Sequence, residues 1–131
     1  MSENKTGIGT VSWVDLTVNN AEELKDFYKE VIGWKTESVP MGDYHDFNMI
    51  SPGTQEVQAG ICNAKGANSN LPSHWMIYLT VENVNKSAES CRELGGKIII
   101  EPKNMGNYGR CAVIQDPAGA VCALFTPSDK K

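Results

Sequence analysis

Within residues 11–18, the last six positions alternate between side chains that are polar or aromatic and aliphatic side chains. The aliphatic members are Val14, Leu16 and Val18, and the others are Trp13, Asp15 and Thr17. A period of two predicts a strand with two different faces. A helix is predicted next, because Asn20 and Glu23 have the spacing of a capping box and Gly33 is a typical helix stop. Its apolar face is expected to comprise Ala21, Leu24, Phe27, Tyr28, Val31 and Ile32.

The same order of elements occurs again in the second half of the chain. After the first helix, strands are predicted at about 34–39, 44–50 and 56–62, with turn-forming segments between them. Residues 74–81 then alternate like the first strand, and a helix follows from Asn83 to the Gly95-Gly96 pair. Its inward residues are expected to be Val84, Ala88, Cys91 and Leu94. Three more strands are predicted at about 97–101, 109–115 and 120–126.

A shift of 63 residues superposes the two halves. It places Leu16 on Leu79, Asn20 on Asn83 and Gly33 on Gly96. Repeats of this kind indicate one structural unit used twice. We therefore predict a single domain over 1–131, with a flexible N-terminus at 1–8, βαβββ modules at 9–62 and 73–126, a linker at 63–72 and a tail at 127–131.

In each copy the helix must cover one face of its sheet, and the aliphatic face is the natural choice. In the second copy that covered face carries Trp75, Ile77 and Leu79. The opposite faces then carry Trp13, Asp15 and Thr17 in the first copy, and His74, Met76, Tyr78 and Thr80 in the second. Aromatic side chains mixed with a few polar groups are typical of a small-molecule site. The alternative is ordinary packing, in which the indole or hydroxyl bonds to the backbone.

Two further residues have open interpretations. His74 follows Pro72-Ser73 at the start of its strand, a position that favours a structural role over a ligand contact. Arg110 opens a strand after Gly109. Its guanidinium either anchors an anionic group through two parallel hydrogen bonds or is an edge charge.

Composition narrows the class of protein. The chain has 131 residues, 40% hydrophobic content and a formal charge of −4, which is an ordinary globular balance. No apolar run reaches the roughly 20 residues of a membrane span, and no basic cluster is present to bind nucleic acid. We expect a cytoplasmic protein without a signal peptide. The four cysteines have apolar neighbours and are interpreted as buried, reduced thiols.

Several motifs resemble those of the vicinal oxygen chelate superfamily, which includes glyoxalase I, bleomycin-resistance proteins and extradiol dioxygenases. They are Trp13-Val-Asp-Leu16, Phe27-Tyr28 with Gly33-Trp34, Leu94-Gly95-Gly96, and Gly109-Arg110-x-Ala112-Val113-x-x-Asp116-Pro117-x-Gly119-Ala120. The resemblance covers about residues 9–127. It implies an α+β fold in which two βαβββ modules form a curved, U-shaped mixed sheet around a cavity, with the helices outside. It also implies a homodimer.

In metal-dependent members, the resemblance implies a His or Gln ligand on the first strand of each module and a Glu on the last. The corresponding positions here are Trp13, Met76, Gly60 and Ala123. None offers a usual donor for a hard divalent ion, since a thioether is soft and the others have no donor to give. Asp15, His74 and either His45 or Asp46 have no spacing that would bring them together instead. We therefore expect no metal and no other cofactor.

Three functions remain open. The first is a binding protein whose cleft between the modules holds an unidentified aromatic or cationic small molecule, with Trp13, Asp15, Met76 and Tyr78 as contacts. The second is a metal-independent isomerase or lyase, with Asp15 or His74 as general base and Tyr78 or Arg110 steadying an oxyanion. The third is an accessory module with a vestigial cavity. The sequence does not decide whether the chain is an enzyme.

Overall fold

A computed structural model describes residues 7–128. Within them the chain divides into two compact units: Trp13–Trp75, and residues 7–12 together with 76–128. The N-terminal prediction for residues 1–6 and the tail prediction for 129–131 lie outside the described residues. We call the two parts the first and second unit, and each has a four-stranded sheet with one long helix.

The first unit has the order βαβββ. Its elements are β1 (Val11–Val18, of which Val11 and Ser12 fall in the second unit), α1 (Ala21–Ile32), β2 (Lys35–Pro40), β3 (His45–Ile50) and β4 (Val57–Asn63). The strands lie in the order β2-β3-β4-β1. β1 runs parallel to β4, and the other neighbours are antiparallel.

The second unit repeats this order. Its elements are β5 (Trp75–Thr80, of which Trp75 falls in the first unit), α2 (Val84–Glu93), β6 (Lys97–Asn104), β7 (Gly109–Gln115) and β8 (Val121–Pro127). The strands lie in the order β5-β8-β7-β6, again with one parallel pair, β5 with β8. The predicted α+β class and the two βαβββ modules are thus confirmed. No helix between residues 7 and 128 is long and apolar enough to span a bilayer.

Alternation along the strands separates two faces of the first sheet. The helix side holds the core, in which the buried residues are Leu16, Val18, Ala21, Phe47, Met49 and Ile61. Met49 and Ile61 have no exposed surface. Successive strand residues point to opposite faces, so Trp13, Asp15 and Thr17 point away from α1. We call this the far face of the first sheet.

Both helices lie where they were predicted, but one of the predicted capping interactions is absent. Gly33 ends α1 in the left-handed conformation, at φ 93°, and its N–H donates to Lys29 O. Asn20 does not cap the helix backbone with its side chain. Its amide donates instead to Glu23 Oε1 at 3.2 Å, so the predicted capping box is wrong. Asn83 does cap α2, since its Oδ1 accepts from Lys86 N at 3.1 Å.

Burial differs from the sequence expectation at several apolar positions. On α1, Phe27, Val31 and Ile32 are half exposed or more, and Leu94, which follows α2, is 78% exposed. All four cysteines are free thiols, but only Cys111 is buried. The predicted strand 97–101 extends to Asn104 through Pro102. Proline is tolerated there because β6 is the edge strand and its register shifts between Ile100 and Lys103.

Candidate functional site

The far face of the first sheet brings Trp13 and Asp15 into direct contact. The Trp13 indole Nε1–H donates to Asp15 Oδ2 at 3.2 Å. Strand geometry places residues two apart on the same face, so the sequence pattern alone brings this pair together. The Asp15 side of the contact is well protected from solvent, since the residue is only 7% exposed. A carboxylate buried to this degree requires hydrogen-bond donors or charges around it.

Gly60 on β4 makes room for the Trp13 ring. Asp15 is paired with Gly60 in the parallel register of β1 and β4. A Cβ atom added to Gly60 would lie 3.1 Å from Trp13 Cζ2 and 3.4 Å from the Asp15 Cβ. Any side chain at position 60 would therefore press against the indole.

A second carboxylate and a thiol lie on the same face. Thr17 is paired with Cys62 on β4, and Asp46 points to the same side as Asn48, the partner of Gly60. Asp46 Oδ1 accepts from Asn63 N and Nδ2, each at 2.9 Å. The register between β3 and β4 creates this grouping. The sequence pattern gave no sign of a role for Cys62 beyond burial.

The electrostatics of this face keep the Cys62 thiol protonated. Burial raises the pKa of Cys62 strongly, and the negative charges of Asp15 and Asp46, with a hydrogen bond to Asp46, raise the pKa further. A thiol of this kind is a poor nucleophile, because the thiolate is the reactive form. The face therefore offers an indole, two carboxylates and a neutral thiol.

Met76 and Tyr78 lie on the side of the second sheet that points away from α2, which we call the far face of the second sheet. Tyr78 is paired with Ala123 on β8, and Ala123 with Val113 on β7. Met76 precedes Tyr78 by two residues and has only 4% exposed surface. His74 lies in the first unit, just before β5, and its backbone N–H donates to Pro72 O at 3.0 Å.

Arg110 does not share that face with Met76 and Tyr78. Its neighbour along β7 is Cys111, and Cys111 is paired with Phe125, which is the partner of Thr80. Arg110 therefore points to the opposite side, toward α2, where its Nε–H donates to Asn85 Oδ1 at 3.0 Å. The structure therefore does not bring Arg110 together with Met76 and Tyr78. The register of β7 against β8 puts Cys111 on the far face, so Arg110, one residue earlier, lies on the other side.

Trp75 was expected to lie under α2, the helix of the second copy. The structure places it elsewhere. Its indole N–H donates to the hydroxyl of Tyr28 on α1 at 3.2 Å. Trp75 packs against the core of the first unit together with Trp34. The strand prediction was correct here, but the neighbour that covers this residue was not.

The residues at the metal-ligand positions implied by the family resemblance do not fit a hard divalent ion. In the first unit, the Trp13 ring lies over Gly60, which has no side chain. In the second unit, Met76 offers a buried thioether and Ala123 is fully buried without any donor. Hard cations prefer oxygen ligands, and imidazole suits zinc, nickel and iron. Across residues 7–128, no three His, Cys, Asp or Glu side chains converge as a metal-binding group.

Comparisons with curated proteins identify relatives of about twice this length. "Putative glyoxylase CFP32" of Mycobacterium tuberculosis is 28% identical over 123 residues, which are 94% of this chain and 46% of the relative. "Anthracycline biosynthesis protein DnrV" of Streptomyces peucetius is 24% identical over 128 residues, 89% of this chain and 46% of that protein. The chain thus spans about half the length of these curated relatives.

Solved structures share the fold at low identity. Methylmalonyl-CoA epimerase from Mycobacterium tuberculosis superposes with a TM-score of 0.58 at 16% identity, covering 94% of this chain and 91% of that chain. A structure described as NAD-dependent benzaldehyde dehydrogenase from Legionella pneumophila gives a TM-score of 0.57 at 17% identity, covering 88% and 98%. At these identities the likeness shows the fold alone.

The family itself is shown by a sequence model that matches residues 10–124, nearly the whole chain. This match agrees with the resemblance carried by the motifs around Trp13, Gly33 and Gly109-Arg110. The chain belongs to the Glyoxalase/Bleomycin resistance protein/Dioxygenase superfamily.

Proposed function

We propose that this protein binds a small molecule on the far face of the first sheet, without a metal ion. The observation that carries the proposal is the contact between the Trp13 indole and the buried Asp15 carboxylate, 3.2 Å from Nε1 to Oδ2. An aromatic surface beside a shielded carboxylate suits a ligand with an apolar or aromatic part and a hydrogen-bond donor or positive charge.

The charge of this face supports a cationic or donor group on the ligand. Asp46 and Asp15 both act on Cys62, so two negative charges lie close together there. A cation brought near them gains more than it would in water, because part of the surrounding solvent is replaced by protein. A ligand carboxylate would be repelled by the same charges.

A metal-independent enzyme is supported less well by the geometry. The Cys62 thiol on the far face of the first sheet is kept protonated and is therefore not an activated nucleophile. Arg110 and Tyr78 lie on opposite sides of the second sheet and do not act together on one oxyanion. Binding without turnover is therefore the proposal.

Three phenyl compounds of similar size and different charge test the proposal. Phenyltrimethylammonium, benzyl alcohol and phenylacetate are each titrated against the full chain, with protein thermal stability and probe-observed NMR as readouts. We expect saturable binding in the order cation, neutral, anion, and loss of cation binding in Trp13→Ala and Asp15→Asn. Asp43→Asn, which removes an exposed carboxylate of the same unit, is the matched control and should bind normally.

Two results would overturn the proposal. One is that none of the three probes binds saturably. The other is that cation binding persists in both Trp13→Ala and Asp15→Asn while near-ultraviolet circular dichroism shows that the variants are folded. We also propose a cytoplasmic location and a homodimer. Light scattering coupled to size-exclusion chromatography measures the oligomeric state.

A further inference from the structure

We propose that Arg110, held by Asn85 and Asn104 on the α2 side of the second sheet, is a binding site for an oxyanion, namely a carboxylate or phosphate group of a small molecule. The site is separate from the far face on which Met76 and Tyr78 lie. Its residues come from three elements, α2, β6 and β7.

Two amide oxygens hold the guanidinium in place. Arg110 Nε donates to Asn85 Oδ1 and Nη1 donates to Asn104 Oδ1, each at 3.0 Å. Among residues 7–128, no protein acceptor is hydrogen-bonded to Nη2. A guanidinium has five N–H donors, so two donors of Nη2 and one of Nη1 are not used by Asn85 or Asn104. The Nη2 donors can hydrogen-bond to an oxyanion, and the charge of the guanidinium strengthens those bonds.

The positive charge of Arg110 is not neutralised by the protein. No carboxylate within residues 7–128 lies within 4.0 Å of its guanidinium. Arg92 in the same unit shows the contrast, because its Nη2 donates to both Glu101 oxygens at 2.7 and 2.6 Å. Asn85 bonds to Arg110 through its Oδ1, an uncharged acceptor that leaves the charge of the guanidinium intact.

The local field favours an anion rather than a second cation. Asn85 lies in the first turn of α2, which contains no acidic residue, and Lys86 follows it. A cation beside the positive end of a helix is electrostatically unfavourable. An anion bound at Arg110 would relieve that repulsion. Half-burial of Arg110 makes this interaction stronger than at a fully exposed side chain.

The backbone before Arg110 is held tightly by its glycine. Gly109 has φ +142°, where L side chains rarely occur, and an added Cβ would overlap Thr126 O and lie 2.8 Å from Ser128 N. Arg110 itself is paired with Thr126 on β8. The backbone of Arg110 is therefore fixed in the sheet. This lowers the entropic cost of ordering its side chain around a ligand.

NMR titration of the full chain tests the site. ¹⁵N-labelled protein is titrated with sodium phosphate and, separately, with sodium acetate, and sodium chloride at equal ionic strength controls for screening. We expect saturable shifts at the backbone amides of Asn85 and Asn104 and at the Arg110 Nε–H. Saturation by phosphate alone assigns a phosphate group, by acetate alone a carboxylate, and by both the shared oxyanion chemistry.

Variants decide whether Arg110 is responsible. Arg110→Gln is expected to weaken binding at least tenfold, while Arg92→Gln, the matched control, leaves binding unchanged. If Arg110→Gln does not fold, Arg110→Lys keeps the charge, loses the planar fork and is expected to bind about tenfold more weakly. The proposal is overturned by non-saturating shifts, by shifts that chloride reproduces, or by a folded Arg110 variant that binds like the wild type.

Discussion

Trp75 donates its indole N–H to the hydroxyl of Tyr28 across 3.2 Å, although the two residues are 47 positions apart. Their ring centroids are 5.3 Å apart at an interplanar angle of 76°, an edge-on contact. Trp34 adds a second edge-on ring at 6.1 Å from Trp75. Such aromatic pairs stabilise beyond their buried area by about 0.5–1.5 kcal/mol. These contacts hold Trp75, the last residue of the first unit, against α1.

Removal of the Tyr28 hydroxyl tests this contact. Tyr28→Phe keeps the ring and leaves the Trp75 indole N–H without its acceptor. We expect the free energy of unfolding to fall by about 1 kcal/mol, the usual contribution of a hydrogen bond, because this one is only partly buried. Urea denaturation measures the change. Val31→Ala, at a 63% exposed position of the same helix, is the control and should stay within about 0.5 kcal/mol of the wild type. Equal stability of Tyr28→Phe and the wild type would contradict the prediction.

The order of elements was predictable because it rests on local chemistry. Short stretches of sequence contain the signals for strand alternation, for the helix start at Asn83 and for the helix end at Gly33. The partner of Trp75 was not predictable in the same way. Periodicity shows that one face of a strand is apolar, but the element that covers this face is chosen by long-range packing. The strand that contains Trp75 was therefore predicted correctly, whereas the helix that packs against it was not.

The candidate site shows the same division. Trp13 and Asp15 are two residues apart on one strand, so their contact follows from the pleat. Arg110 depends on the register between β7 and β8, where a shift of one residue reverses the face. Its two asparagine partners come from α2 and β6, and no motif links those positions to Arg110. The local sequence around Arg110 therefore contains no signal for such a grouping.

The close approach of backbone at Gly109 predicts a large cost for any side chain there. Gly109→Ala places a Cβ against Thr126 O at φ +142°, so the hairpin end must move. We expect a loss of about 3 kcal/mol in the free energy of unfolding, the upper range for one strained residue. Gly106→Ala, in the loop that precedes β7, is the matched control. Its φ is +59° with no atom within 4 Å of the added Cβ, so we expect only about 1 kcal/mol.

Chemical denaturation of both variants distinguishes the two glycines. A Gly109→Ala protein as stable as Gly106→Ala would show that the loop adapts freely. In that case the backbone at Arg110 would not be held as the structure indicates.

The raised pKa of Cys62 predicts that stability falls at alkaline pH. Burial, followed by the charges of Asp15 and Asp46, holds the proton on this thiol in the folded protein. The unfolded thiol loses its proton with a pKa of about 8.5. Below that pH both states are protonated and this group adds no pH dependence. Above it only the unfolded state is ionised, so stability falls by up to about 1.4 kcal/mol per pH unit.

Urea denaturation from pH 7.0 to 9.5 checks the sign. Cys62→Ala removes the group, and its stability should fall less steeply above pH 8.5 than that of the wild type. The difference between the two proteins should be constant near pH 7, which serves as the internal reference. Parallel curves over the whole range would show that Cys62 ionises alike in both states.

The donor set at Trp13, Gly60, Met76 and Ala123 predicts that the purified protein carries no stoichiometric divalent metal. A metal that binds only the folded state stabilises it by RT ln(1 + c/Kd), where c is the metal concentration, and so raises the melting temperature. EDTA should therefore leave the melting temperature unchanged, and added Zn²⁺, Ni²⁺ or Mn²⁺ should not raise it. Elemental analysis of protein prepared without added metal is the direct measurement. Near-stoichiometric Zn, Ni, Mn or Fe, with a melting temperature that falls on chelation, would show that other side chains form a metal site.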